Sequence, residues 1–314
     1  MGEPSGWGEV LTAWRPPGAV AALLVLVAVG YLLGMLRLRR RGERWPWHRT
    51  AAGIAFVVVL VIATDGPVGR YADVLFWVHM VQHLLLIMVV PVAALCAAPL
   101  RLLATVVQPV ERVVGSRPVR LLTHPGVGVV LYAAVVVLTH LTGFQQVSMA
   151  RPEVRAAELV GYVVSGWVLF LPLLGAELRP WRLPPLLRIA LLALSMGVDT
   201  MTGVVLMITP YALAPAYGAA HSGWGPTLLA DQEAGGAVMW FAGDMLMALM
   251  IVAVGLAWGR TSRTQAGFGE WLEGVRRRAL LGADSGSVAD VDADEAALQR
   301  YNAALAELNR RDAR

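Results

Sequence analysis

Seven long apolar stretches divide the chain: Gly18–Leu36, Ala51–Thr64, Leu75–Ala98, Val127–Gly143, Glu158–Gly175, Leu186–Ile208 and Gly236–Trp258. A helix needs about 20 mostly apolar residues to cross the hydrocarbon core of a bilayer. Most of these stretches reach that length. The second is short, and is predicted to begin before Ala51 or to continue past Asp65. The first is too long, and too basic at its far end, for a cleaved signal peptide. No internal repeat is visible. The pattern predicts an all-α fold, a polytopic membrane bundle of seven transmembrane helices over residues 1–258, with a tail over 259–314.

Composition agrees with that class. The 314 residues are 57% hydrophobic and 15% charged, and the mean hydropathy is +0.60. A soluble domain carries about 25% charged residues. Charge also sets the orientation. The chain has no Lys, so all 26 basic residues are Arg. Sorted by the sides that seven spans create, 22 fall on the side of Arg37–Arg49, Arg101–Arg120, Arg179–Arg188 and the tail. Only Arg15, Arg70, Arg151 and Arg155 fall on the other. Positive loops stay inside, so the N-terminus is expected outside and the C-terminus in the cytoplasm of a bacterial plasma membrane. The expected partner surface is the lipid bilayer, with no nucleic acid.

With sides assigned, the polar residues acquire depths. His79 and His83 lie in the outer first turns of the third span, and His140 closes the fourth at the outer surface. Asp199, Met201 and Met207 fall in the outer half of the sixth span, and Met239 and Asp244 in that of the seventh. The outer loop Thr209–Gly235 adds His221, Asp231, Gln232 and Glu233; His48 and His124 fall in inner loops. The residues with chemistry to offer therefore gather on the outer side.

Residues four apart share one helix face, so the His79 and His83 imidazoles stack one turn apart. Burying them costs free energy unless something binds them. The alternatives are a metal, a haem or neighbouring hydrogen-bond partners. Two histidines on the same face of one helix do not serve as the two axial ligands of a single haem, so haem is disfavoured. A His and Met donor set suits copper, Cu(I) in particular, over Mg or Ca; zinc accepts His and Asp. Cys96 is the only cysteine, which rules out a Cys-x-x-Cys site. Asp231 has a structural alternative as a cap of the seventh helix, and Asp199 and Asp244 as hydrogen-bond acceptors for threonines or an indole. The pairs Gly30/Gly34 and Gly161/Ser165 are expected to be helix-packing contacts.

The run His79-Met80-Val81-Gln82-His83-Leu84-Leu85 with Ala98-Pro99-Leu100, the stretch Leu138-Thr139-His140-Leu141, and above all Leu229-Ala230-Asp231-Gln232-Glu233-Ala234-Gly235-Gly236-Ala237-Val238-Met239-Trp240 resemble the multi-span CtaG assembly factors of caa-type cytochrome c oxidases. The resemblance runs from about Ala51 to the C-terminus, where Tyr301-Asn302 resembles actinobacterial tails. The chain departs from the family pattern at Leu159, where many members have His, and at Leu141, where many have Pro. The resemblance implies a non-enzymatic role in maturing a haem–copper oxidase, with oxidase subunits as partners. It also implies help in placing copper from the outer face. On this expectation His79, His83 and His140 form a transient Cu(I) site with Asp231 and a Met nearby, Asp231 being either a ligand or a residue that orients an imidazole.

Two other classes stand beside it. A copper or small-solute transporter requires polar groups along the whole path, and the inner halves of these spans hold almost none. A membrane b-type cytochrome would show a Soret band. After Trp258 comes a basic stretch with Trp271, Leu272 and Arg276-Arg277-Arg278, suited to the anionic cytoplasmic leaflet. It is followed by an acidic linker, and then by a short amphipathic helix with Leu298, Tyr301, Leu305 and Leu308 on one face.

Overall fold

A computed structural model describes residues 6–15, 19–107, 109–174, 177, 181–220, 223–264, 299, 302–303, 306 and 310. Among these residues all regular structure is helical. The chain divides into two units, Met1–Val252 and Ala253–Arg314. In the second unit the described residues are the end of the last helix, to Thr264, and isolated tail positions. The basic stretch at Arg276–Arg278, the tail residues Leu298, Tyr301, Leu305 and Leu308, and His221 lie outside the described residues.

The first unit opens with α1 (Trp7–Thr12) and α2 (Ala19–Arg40), followed by α3 (Trp47–Thr64), which α4 (Pro67–Tyr71) extends after a break. Next come α5 (Phe76–Leu84), a π-helical turn (Leu85–Val89), α6 (Val90–Ala97) and α7 (Pro99–Val106). Short α8 (Val110–Val114) and α9 (Arg117–Leu122) lead to α10 (Pro125–His140), α11 (Phe144–Ala150), α12 (Pro152–Leu174) and α13 (Pro185–Ile208). The chain ends through α14 (Ala216–Ala220), α15 (Leu228–Ala237), a second π turn (Val238–Ala242) and α16 (Gly243–Thr264).

Among the described residues five stretches are long and apolar enough to cross a membrane: Trp47–Tyr71, Phe76–Thr105, Pro152–Leu174, Pro185–Ile208 and Leu228–Arg260. A sixth arises if α10 and α11, bent by 75°, count as one span. The remaining expected span, Gly18–Leu36, coincides with α2, which stands outside that count; several side chains at its start lie outside the described residues. The short second span is lengthened at both ends, since Trp47 starts it and α4 prolongs it. The last span begins two turns before its apolar run. Thr227 caps it, its hydroxyl accepting from Ala230 N at 3.3 Å, so Asp231 lies inside the helix and does not cap it.

Span three, α5 to α7, forms the centre. Its middle is buried from Leu84 to Val90 except at Leu85 and Val89, and α3, α12 and α15 surround it. The π turn explains the closest of these contacts. A π turn widens a helix and pushes a carbonyl outward. The Ile87 carbonyl presses on α12 at Gly166, where an added Cβ would stand 1.8 Å from that oxygen. Gly203 on α13 and Gly236 on α15 face each other similarly, each added Cβ falling within 2.8 Å of the other's carbonyl. Such backbone contact is how membrane helices gain packing energy without a hydrophobic drive. The glycines expected at contacts behave differently. Gly34 meets Leu102, but Gly30 and Gly161 have nothing within 4 Å of an added Cβ.

Contacts between loops sort into two ends. At one, Arg15 pairs with Asp73 and donates to Gly69 O at 2.9 Å, Tyr217 donates to Ala72 O at 3.2 Å, and Gln146 donates to Leu213 O at 2.9 Å. At the other, Arg41 donates to Thr105 O at 2.7 Å, Trp181 to Arg120 O at 3.0 Å, and the Glu177 carboxylate accepts from Leu100 N and Arg101 N at 2.8 and 2.9 Å.

The tight contact at Gly166 separates two substitutions of the same type on one helix. Gly166→Ala is expected to destabilise the protein by about 1–3 kcal/mol through overpacking. Gly161→Ala is expected to be neutral or to gain up to about 1 kcal/mol of helix propensity. Thermal unfolding in detergent reads the contrast, and equal midpoints for the two variants would contradict the contact.

Candidate functional site

The site begins with how span three is started. Leu75 is extended, and α5 opens at Phe76 with no side-chain cap of its own. Asp231 supplies one from α15: its two carboxylate oxygens accept from Phe76 N at 2.8 Å and Trp77 N at 2.9 Å. A carboxylate satisfies the orphaned amides and faces the positive end of the helix dipole. This fixes the register that carries His79 and His83 inward. Both are fully buried.

Around His79 the polar groups form one connected network. Arg155 Nη1 lies 3.1 Å from His79 Nδ1, and Arg155 also donates to Glu158 Oε2 at 2.8 Å and to Gln82 Oε1 at 2.5 Å. Its other arm reaches Asp73 Oδ1 at 3.2 Å, at the edge of the molecule. The Glu158 carboxylate accepts in addition from Gln145 Nε2 at 2.6 Å, Ser148 Oγ at 2.6 Å and Tyr162 OH at 2.8 Å. Arginine has no acceptor and does not lose its proton. His79 Nδ1 must therefore accept, and the ring's proton sits on Nε2, on the side of the Glu158 carboxylate, whose Oε1 lies 3.6 Å away. The Gln145 amide beside it donates to Glu158 Oε1 and Thr139 O. His79 Nδ1 is thus held by Arg155.

One turn deeper the situation reverses. His83 packs against His140, ring centroids 4.6 Å apart, and against Tyr162 at 4.7 Å. Among the described residues neither ring nitrogen of His83 has a hydrogen-bond partner, nor does His140 Nε2. His140 Nδ1 lies 2.8 Å from Val136 O, and a carbonyl only accepts, so Nδ1 carries the proton and Nε2 presents its lone pair. Two imidazoles with unpartnered nitrogens thus meet in a buried contact. They are borderline donors, suited to Cu(I) or zinc. Among the described residues no three His, Cys, Asp or Glu side chains converge closely enough to hold a metal as they stand. The touching rings must rotate apart to admit an ion.

The sequence-predicted residues therefore divide. His79, His83 and His140 come together, with His79 and His140 centroids 5.7 Å apart. Asp231 sits at the first turn of α5, engaged by two amides. Met80 and Met239 are buried, whereas Met201 is 61% exposed on the outer surface of the bundle. Asp199 accepts from Tyr132 OH at 2.7 Å, and Asp244 accepts from Thr200 at 2.9 Å, a pairing of carboxylates with hydroxyls across helices. Tyr217 closes the network from α14; burial pushes its phenol well above the usual pKa, so it remains a donor.

Sequence reading missed Arg155, Glu158, Gln82 and Gln145 as members of the site. The apolar run marks the fifth span only from Glu158, which leaves Arg155 in a loop. The helix starts at Pro152, a residue favoured in a first turn. From that start Arg155, Glu158 and Tyr162 fall on one face.

A family model described as cytochrome c oxidase caa3 assembly factor matches residues 29–261, a stretch that contains every residue of this site. The chain belongs to that family. Among curated proteins it is 29% identical to an uncharacterized protein of Mycobacterium bovis and to one of Mycobacterium tuberculosis, and 28% identical to one of Mycobacterium leprae, each over 321 residues. The alignments cover 98% of this chain and 46% of each relative, so the chain spans about half the length of the curated relatives it matches. No solved structure matches it.

The Arg155–Glu158 pair predicts a coupling. Removing one member of a buried ion pair leaves the other uncompensated, a cost of about 3–5 kcal/mol. Glu158→Gln and Arg155→Met are each expected to lower the unfolding midpoint strongly, and the double variant by clearly less than their sum. Additive losses would show that the two side chains act independently.

Proposed function

We propose that this membrane protein assists assembly of a caa3-type cytochrome c oxidase by carrying Cu(I) briefly on the outer side of a bacterial plasma membrane, without being an enzyme. Family membership supports the assembly role. The observation that carries the copper reading is the trio of unpartnered nitrogens on His83 and His140, buried beside a network in which nearly every other polar group is satisfied. Leaving a buried nitrogen without a partner costs about 1–3 kcal/mol, and a ligand at that spot recovers it. In this reading His83 and His140 are the direct donors. His79 joins only when Arg155 lets go of it, and Asp231 fixes the start of the helix that presents them. Rings that must part to accept an ion suit a carrier that loads and unloads.

The same reading takes α2 as a seventh span, with the N-terminus outside and the tail in the cytoplasm. The Arg distribution supports it. So does the sorting of loop contacts, since Arg15 meets Asp73 at the histidine end while Arg41 meets Thr105 at the other.

Titration of the purified chain with Cu(I), or with Ag(I) as a redox-silent surrogate, tests the site. One ion per chain is expected, lost in His83→Ala and His140→Ala and weakened but retained in His79→Ala. Equal stoichiometry in the wild type and the His83→Ala/His140→Ala double variant would sink the proposal. In cells, a deletion strain is expected to lack assembled oxidase and to regain part of it with added copper. Normal oxidase at low and high copper would defeat the assembly role.

A further inference from the structure

Helix α2 packs mainly against α7, and the way it is attached leaves a groove. Its Arg-rich end is well anchored. Gly34 abuts Leu102, Tyr31 OH donates to Ala97 O at 3.0 Å, Trp45 Nε1 donates to Tyr31 OH at 2.8 Å, and Arg41 reaches Thr105 O. One face of it stays open. Nothing lies within 4 Å of an added Cβ at Gly30, and Leu26 and Leu33 on the same face are 70% and 60% exposed.

Two cavities occupy the resulting gap. One, of 850 Å³, runs from Val27 and Gly30 past Leu33 and Leu103 to Arg37, Arg40 and Arg41. The other, of 510 Å³ and lined almost wholly by apolar side chains, lies on the α3 side between Ile54, Val58 and Trp167; Val27, Tyr31 and Pro99 border both. Arg37 and Arg40 are exposed, and among the described residues neither pairs with a carboxylate. Each cavity is therefore an apolar slot, and one of them ends in three guanidinium groups.

We propose that the groove between α2, α3 and α7 is a binding site for an anionic diacyl phospholipid. The phosphodiester sits on Arg37, Arg40 and Arg41, and the acyl chains lie in the slots on either side of Tyr31. Basic clefts between helix ends at the positively charged membrane face suit anionic headgroups, and guanidinium forks bind phosphate oxygens in pairs. Exposed apolar side chains border both slots, Leu33 and Leu103 on one and Ile54 and Val58 on the other, as suits entry of acyl chains. Such a lipid completes the packing of α2, which protein contacts leave half made. The site depends on the membrane reading and not on copper, so its fate is independent of the metal proposal.

The full chain in neutral detergent, offered phosphatidylglycerol, phosphatidylcholine or inorganic phosphate, provides the test, with retained ligand counted by native mass spectrometry. Retention of phosphatidylglycerol alone is expected. Arg37→Gln/Arg40→Gln/Arg41→Gln is expected to weaken it by about fivefold for each arginine removed. The matched variant Arg112→Gln/Arg117→Gln/Arg182→Gln, with the same loss of charge elsewhere, is expected to leave it unchanged. Gly30→Leu grows into open space, fills the slot without touching a charge, and is expected to reduce retention as well. Equal retention of both lipids, equal losses in the two triple variants, undiminished binding by Gly30→Leu, or a second copy of the chain in place of lipid would each overturn the proposal.

Discussion

The carboxylate of Glu158 is the interaction on which the histidine end of this bundle depends. A charge inside an apolar helix bundle is tolerable only when its lone pairs are filled by donors held in place beforehand. Here four donors come from two helices: Ser148 and Gln145 on α11, and Arg155 and Tyr162 on α12 itself, while Arg155 in turn grips His79 and Gln82 on α5. The sharp 75° turn between α10 and α11 follows from this, because α11 must swing back for Gln145 and Ser148 to reach the carboxylate. Tyr162, held by its hydroxyl, presents its ring to His83. One anion thus sets a loop, a tautomer and the wall of the histidine pocket.

That saturation gives the neighbouring gap its meaning. Arg155 spans from Asp73, whose side chain is 44% exposed, to the fully buried His79, and so lies between the Asp73 end and the deeper histidines. Below it the unpartnered nitrogens of His83 and His140 meet in a buried contact. Under the copper proposal an ion reaches them only when this arginine moves. The energy of the Arg155–Glu158 pair then sets how often the pocket opens, and a tight latch over a weakly coordinated ion fits transfer better than storage.

Much of this was legible in the sequence. Apolar runs found helices at the expected places, five of them among the described residues long and apolar enough to cross a membrane, though not where those helices begin, and the four-residue spacing of His79 and His83 with the position of His140 brought together the three side chains that cluster. What escaped was governed by contacts far apart in the chain. Asp231 reads locally as a helix-start residue, yet the helix it starts is α5, 155 residues away, and no periodicity encodes that. Arg155 reads as a loop charge because hydropathy marks where a span becomes apolar and not where its helix begins. Gly166 carries no local sign either, since its role arises from a π turn on another helix.

The motif residues that suggested the family therefore separate by physical task. Asp231 caps span three, and Gln232 ties its neighbourhood together by donating to Leu206 O and Tyr211 O and accepting from Leu213 N. Glu177 does at the far end of span three what Asp231 does at the near end, receiving the first amides of α7 where Ala98 turns the chain through a left-handed conformation. Span three is thus clamped at both ends by carboxylates from distant loops, with a π turn between them. A helix fixed at its ends and irregular in its middle can rotate a side chain such as His83, one residue before Leu84 and the π turn, without losing its seat. The acidic and amide residues of the motifs hold the frame, and His83 and His140 are the imidazoles whose nitrogens it leaves without a partner among the described residues.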